Sequence, residues 1–293
     1  MKRHPSTPCY TPSELEEYEA CPFGFYVKHI LRIGPPPEPE PELTPAEVGT
    51  LLHRVLERLL KTQGGVLEEI IGQEFASIQR NRGHLVPALV ERQRDRVERT
   101  LKSFLEAEAQ RGRAGPLEPA YFEWSFGKNG PPLEIADGKE PIRIRGRVDR
   151  IDVDRERKFF LVIDYKTGSG KISGNQIVKG GRLQLPLYIL AVGRLLLPDY
   201  RPIGGLYYHL SDLSLDSGLV HAERIPEGIR PRPSSVAPEP RWNDLFRRAE
   251  EKVRVLAGKI RAEEFPPAPE PCQPWCPYQD LCRLRSVTKK TGS

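Results

Sequence analysis

Asp149 and Asp164 stand in the segments GRVDRID and VIDYKTG, and Lys166 follows the second aspartate by two residues. Alternate side chains of an extended strand share a face, so Asp164 and Lys166 point the same way. Between the two segments, Asp154-Arg155-Glu156-Arg157 has the composition of a hairpin turn, and a hairpin there sets Asp149 beside Asp164. Two carboxylates so placed repel one another. A hard divalent cation such as Mg2+ or Mn2+, which takes oxygen ligands, relieves that repulsion. Next to a lysine, such an ion suits phosphodiester hydrolysis: it polarises a phosphoryl oxygen and lowers the pKa of a water, while the ammonium offsets developing negative charge. The same residues could instead form a salt-bridge ladder across the hairpin, because D-x14-D-x-K is a short pattern.

The elements that must position these residues have their own signatures. Thr11-Pro12-Ser13-Glu14 and Thr44-Pro45-Ala46-Glu47 share one grammar: a capping hydroxyl, a proline at the first helical position and a glutamate reaching back. They predict helices over 12–20 and 45–62. In the second, Val48, Leu51, Leu52, Val55, Leu56 and Leu59 make an apolar stripe, and His53 sits at its edge, one turn from Gly49 and Glu57. Further helical patterns cover 66–80 and 86–111. From Tyr121 the pattern turns to strands, YFEWSFG, IRIRGRVDRIDV and KFFLVIDYKT. A helix over 180–196, strands at 203–210 and near 219–225, and a helix near 241–262 follow. Together they predict an α/β fold with a central mixed sheet flanked by helices. No internal repeat or composition shift divides the chain. It reads as a single domain over 1–293, with a helical region at 45–115, a core at 120–225 and a Cys-rich segment at 265–285.

With 293 residues, 38% apolar and 29% charged, the chain can bury roughly 75% of its unfolded surface, which excludes peptide hormones, disulfide minidomains and wholly disordered chains. The 30 prolines cluster in PPPEPEPELTP, PRPSSVAPEP and PPAPEPCQP, which are loops or spacers. A net charge of +5 permits a polyanionic partner without demanding one. Arg92, Arg94, Arg96 and Arg99 are interleaved with Glu91, Asp95 and Glu98, as on a solvated helix face. MKRHPSTPCY lacks an apolar export core, and LYILAVGRLLL is short and interrupted by Arg194. The expectation is a soluble, cytoplasmic protein with no membrane partner.

Five cysteines, an odd number, point away from a disulfide framework and toward metal or redox chemistry. Cys272, Cys276 and Cys282 lie in PCQPWCPYQDLC and Cys21 lies far upstream in EACPFGFY. Three clustered thiolates and one remote suit a tetrahedral site that staples the two ends, and zinc is one occupant of such a site. Cys9 is left over as a free thiol. Gly168-Ser169-Gly170-Lys171 resembles the end of a phosphate-binding loop, but Ile172 and Tyr165 stand where the motif needs a hydroxyl residue and its first glycine. The glycine-rich run 168–181 is expected to be a mobile loop beside the acids, and the chain has no ATP motor.

Four patterns in order carry a resemblance: Gly49-Thr50-Leu51-Leu52-His53, Gly146-Arg147-Val148-Asp149, Asp164-Tyr165-Lys166-Thr167-Gly168 and Gln184-Leu185-Pro186-Leu187-Tyr188. Together they resemble the RecB-like branch of the PD-(D/E)xK nucleases, which includes the nuclease domains of the RecB and AddB helicase–nuclease subunits. The resemblance implies a restriction-endonuclease-like core, with His53, Asp149, Asp164 and the Tyr165 carbonyl as ligands of Mg2+ or Mn2+ and Lys166 as a catalytic residue. It implies that Gln184 and Tyr188 hold the DNA, the tyrosine by base stacking. In the iron–sulfur subset of these nucleases, a Cys-Pro near the N-terminus joins a C-terminal Cys triplet around a [4Fe-4S] cluster. Cys21, Cys272, Cys276 and Cys282 resemble that set, with zinc as the alternative occupant. The function implied is a metal-dependent deoxyribonuclease acting on single-stranded or frayed DNA ends in recombination and repair, beside a separate helicase. The alternatives are a CRISPR-associated nuclease that trims spacer precursors, and a non-catalytic DNA-binding or scaffold subunit of the same fold.

Overall fold

The computed structural model describes residues 8–34, 40–62, 66–112, 115–138, 140–168, 170–267 and 276–282. Cys9–Tyr10 (β1) leads into helix Pro12–Ala20 (α1), which opens on the expected capping box: Glu14 N donates to Thr11 Oγ1, and Thr11 N donates to the Glu14 carboxylate. Cys21 ends it and caps the short helix Pro22–Phe25 (α2), which runs into a π turn at Tyr26–Ile30. Thr44 and Glu47 repeat the device before Pro45–Thr62 (α3). Leu67–Asn81 (α4) and Pro87–Gly112 (α5) follow. The strands are Glu118–Phe126 (β2), Leu133–Ile135 (β3), Ile142–Ile144 (β4), Gly146–Asp154 (β5) and Phe159–Lys166 (β6). Next come Gly174–Val178 (α6), Gln184–Ala191 (α7), Arg201–His209 (β7), Ser214–His221 (β8), Val236–Ala237 (β9) and Glu239–Arg261 (α8).

Six strands form one mixed sheet in the order β2-β5-β6-β7-β8-β9. β5 and β6 are antiparallel, joined by the turn expected after Asp154, and β6 and β7 are parallel through α6 and α7. Both central strands are buried on both faces, so they read as continuous rather than alternating apolar runs. Phe160 and Val162 pack in one core with residues of α1, α7 and α8, and Leu161, Ile163 and Tyr165 pack in the other with α3, α4 and α5. Each such aliphatic chain contributes about 1.5–3 kcal/mol by leaving water. Strand alternation therefore turns Asp164 toward α7 and Tyr165 toward α3. Among the described residues no helix is long and apolar enough to cross a membrane.

Three expectations need correction. IRIRGRVDRIDV is not one strand: β4 and β5 lie in different sheets, because Arg145 leaves the ladder and donates its N–H to Tyr10 O at 2.8 Å. β4 instead pairs with β1 and β3 in a small three-stranded sheet. The helix expected over 180–196 begins only at Gln184, which puts Pro186, a residue without an N–H, in the first turn, where it does no harm. It continues as a π turn at Val192–Leu196. The run 168–181 is not all loop: Ser173 and Gln176 cap α6, and Lys171 Nζ holds Ser214 Oγ at 2.9 Å and Asp212 at 2.6 Å. Ser169 falls outside the described residues.

Candidate active site

Register delivers the two aspartates. β5–β6 pairing runs from Asp154↔Phe159 to Arg150↔Ile163, and one further step along both strands brings Asp149 beside Asp164. Asp149 Oδ2 accepts the Tyr165 backbone N–H at 2.8 Å, while its Oδ1 lies 3.4 Å from His53 Nδ1. Burial raises the Asp164 pKa to about 7; the charge of Asp149 adds to the rise, and Lys166 and His53 oppose it. Asp164 Oδ2 is buried without a directed hydrogen bond, and its one cation, Lys166 Nζ, is at 2.7 Å.

Gln184 ties this pair together. Its Nε2 donates to Asp164 Oδ1 at 2.7 Å, and its Oε1 accepts from Lys166 Nζ at 3.2 Å. The ammonium also lies 5.1 Å from the centre of the Tyr207 ring. Both ends of the Gln184 amide are thus engaged by the aspartate and the lysine rather than open to a phosphate, as the sequence led us to expect. Tyr188, one turn on, departs further. Its ring is 7% exposed and meets Phe126 edge-on, so it offers no face for base stacking. Its hydroxyl faces the Gln184 side chain and the Arg147 backbone, and its pKa is raised by burial and then by Asp164.

The motif glycines are explained by approach distance. A Cβ on Gly146 would stand 2.8 Å from both the Phe126 and Tyr188 rings, so the first residue of GRVD must be bare for the tyrosine of QLPLY to pack. A Cβ on Gly49 would stand 3.2 Å from Thr167 Oγ1. A side chain there would crowd α3 away from the end of β6, and with it His53, one turn later.

Glu123 was not singled out in the sequence, where it is a lone acid among the aromatics of YFEWSF. In β2 it lies at the register position opposite Asp149, between Phe122↔Arg150 and Trp124↔Val148, and its φ is +52°. Such a backbone costs a non-glycine residue about 1–3 kcal/mol and marks a place worth a functional question. Its Oε1 lies 3.8 Å from His53 Nδ1 and its Oε2 2.7 Å from Arg147 Nε. Burial alone would lower the His53 pKa, but hydrogen bonds and charge from Asp149 and Glu123 win and hold it at about 10. The ring is therefore positive at neutral pH and offsets the surrounding carboxylates. The ligand atoms of His53, Glu123 and Asp149 all lie within 4.8 Å of one another. One imidazole, carboxylate oxygens and an under-satisfied buried Asp164 oxygen are a donor set that fits a divalent cation.

The terminal cysteines are placed in part. Cys21 Sγ accepts the Gly24 N–H at 3.2 Å, and a Cβ on Gly24 would stand 3.4 Å from that sulfur and 3.9 Å from the Tyr278 ring. The segment holding Cys276 and Cys282 thus lies against the Cys21 turn. Cys272 falls outside the described residues. Cys9 is a free thiol in β1, paired to Arg143.

The relatives of this chain are subunits of ATP-dependent helicase/deoxyribonucleases. It is 31% identical over 219 residues to the one from Moorella thermoacetica, covering 67% of this chain and 19% of the relative. The relative of that description from Lacticaseibacillus paracasei is 29% identical over 223 residues, covering 68% and 19%. That from Clostridioides difficile is 28% identical over 199 residues, covering 61% and 17%. The chain thus spans under a fifth of the length of these relatives. The family model of the PD-(D/E)XK nuclease superfamily matches residues 10–283. A mixed sheet that presents two acids and a lysine at adjoining strand ends fits that match, and the chain belongs to the PD-(D/E)XK nuclease superfamily.

Proposed function

We propose that this chain is a Mg2+- or Mn2+-dependent deoxyribonuclease that hydrolyses phosphodiester bonds at single-stranded or frayed DNA ends in recombination and repair, beside a separate helicase. The observation that carries the reading is the convergence of Asp149, Asp164 and Lys166, with Gln184 bridging the last two and His53 and Glu123 facing the first. His53, Glu123, Asp149, Asp164 and the Tyr165 carbonyl would hold the ion. Once bound, it supplies a Lewis acid and a water of lowered pKa. Lys166 stands at the open edge of the site, where its ammonium can meet a phosphoryl oxygen and offset the charge that grows there. Gln184 keeps that ammonium and the Asp164 carboxylate in fixed relation, which is where a preorganised site gains rate. The products would be a 5′-phosphate and a 3′-hydroxyl. Relatives named helicase/deoxyribonuclease support DNA as substrate and a helicase as partner.

The test is digestion of end-labelled single-stranded and blunt duplex DNA with Mg2+, Mn2+ or EDTA. Cleavage is expected with either ion, starting from ends and stopping in EDTA. Undiminished cutting in EDTA, or no cutting with either ion, would sink the reading.

The reading extends to Cys21, Cys272, Cys276 and Cys282 as ligands of a [4Fe-4S] cluster that staples the ends of the chain. Support comes from Tyr278 packing against the Cys21 turn, from the Tyr18 hydroxyl donating to Glu264 O at 2.6 Å, and from Phe23 N donating to Pro266 O at 3.1 Å. Protein purified without oxygen is expected to be brown. Cys276→Ala is expected to lose the colour and melt lower, whereas a colourless protein containing zinc would replace the cluster by the metal.

A further inference from the structure

The helix that presents Gln184 has no cap of its own. Leu183, the residue before α7, already has helical angles (φ −99°, ψ −22°) and makes no side-chain cap bond. A helix start leaves N–H donors without intrahelical acceptors, and buried ones need a partner. Here the partner arrives from α1, 167 residues earlier: Glu16 Oε1 accepts from Leu183 N at 2.7 Å and from Gln184 N at 3.3 Å. Glu16 Oε2 accepts from Arg182 at 3.1 Å. The residue so held by its backbone is the one whose carboxamide touches both Asp164 and Lys166.

We propose that Glu16 is a positioning residue for the Asp164–Lys166 pair, acting through the first turn of α7 and the Gln184 carboxamide. In its catalytic consequence the proposal rests on the nuclease reading above. A carboxylate suits the place, since the exposed N–H groups of a helix start carry partial positive charge. The helix that supplies it is pinned from the other side. Tyr18 donates to Glu264 O, and Glu19 pairs with Lys252 at 2.5 Å. Lys252 also donates to Gly180 O, just before α7. Cys21 follows α1 directly, so what joins the ends of the chain also keeps Glu16 in register with the site. The N-terminal helix is thereby part of the machinery that aims Lys166.

Cleavage kinetics of the full chain with saturating Mn2+ test this in Glu16→Ala, Gln184→Ala and the double variant. Glu16→Ala is expected to lower kcat about tenfold with KM little changed, since the defect is aim rather than binding. In the Gln184→Ala background it should cost almost nothing more, because both changes break one chain of contacts. Glu16→Gln keeps a carbonyl acceptor and should restore most of kcat. Glu16→Asp keeps the charge but withdraws the oxygens by one methylene; it should show the same split in smaller measure, and it serves if the alanine variant does not fold. An unchanged kcat in Glu16→Ala, or its full penalty added on top of Gln184→Ala, overturns the proposal. If the parent chain cuts no DNA, the nuclease reading falls and the positioning claim is decided by NMR. The Gln184 side-chain amide resonances should shift in Glu16→Ala, and unshifted resonances overturn it.

Discussion

Lys166→Ala is expected to lower DNA cleavage by on the order of a hundredfold to a thousandfold, the loss seen when one preorganised charge-stabilising donor is removed, while the fold persists. The side chain ends at the rim of the site, and its polar contacts are the Asp164 carboxylate and the Gln184 carbonyl. Asp149→Asn is the companion. Its amide oxygen can still accept the Tyr165 N–H that Asp149 accepts now, so the β5–β6 junction should hold. It removes one of the charges that push the Asp164 pKa up to about 7. Without metal, the variant should melt at or above the parent temperature; with Mn2+, it should lose both cleavage and the metal-dependent rise in melting temperature that the parent shows. Variants that cut at the parent rate, or an asparagine variant that fails to fold, would contradict the assignment of these residues.

Arg150→Ala is expected to have the largest effect on stability, about 3–5 kcal/mol, because it leaves buried carboxylates without their cation. Arg150 follows Asp149 and points to the opposite face of the sheet. It holds Asp152 with two bonds, at 2.6 and 2.7 Å, and also pairs with Glu108 of α5. Asp152 is fully buried, and that burial raises its pKa even with Arg150 present. The sign of the pH dependence follows. A carboxyl whose folded pKa lies above its unfolded value costs nothing below the unfolded value and destabilises as pH rises through the folded one. The deficit of Arg150→Ala should therefore be smaller at about pH 4 than at about pH 8. Urea denaturation at both pH values measures it. Arg150→Met with Asp152→Leu should recover much of the loss, since an apolar pair of similar volume avoids the desolvation cost. A single variant as stable as the parent at neutral pH would show that the pair carries no stability.

Much of the fold was legible because its signals are local. The capping boxes at Thr11 and Thr44 placed the starts of α1 and α3, and the turn residues after Asp154 placed the β5–β6 hairpin. With a side-chain period of two, that hairpin sufficed to bring Asp149 to Asp164 and to set Lys166 on the same face. The break at Arg145 was not legible. IRIRGRVDRIDV alternates without interruption, and only the Tyr10 carbonyl, brought in by β1, draws Arg145 out of the ladder.

The sequence by itself determined which residues carry the chemistry: the spacing of Asp149, Asp164 and Lys166 is a consequence of strand geometry, which holds wherever the strands are placed. Only the tertiary structure decided how those residues are served. Glu123 reaches His53 through a left-handed backbone angle that no neighbouring residue announces. Tyr188 was assigned to DNA by its motif, yet its ring is buried where Gly146 leaves room. Glu16 caps a helix 167 residues away. These contacts join residues distant in the chain, and their partners are set by how helices pack on a sheet, which no local pattern encodes.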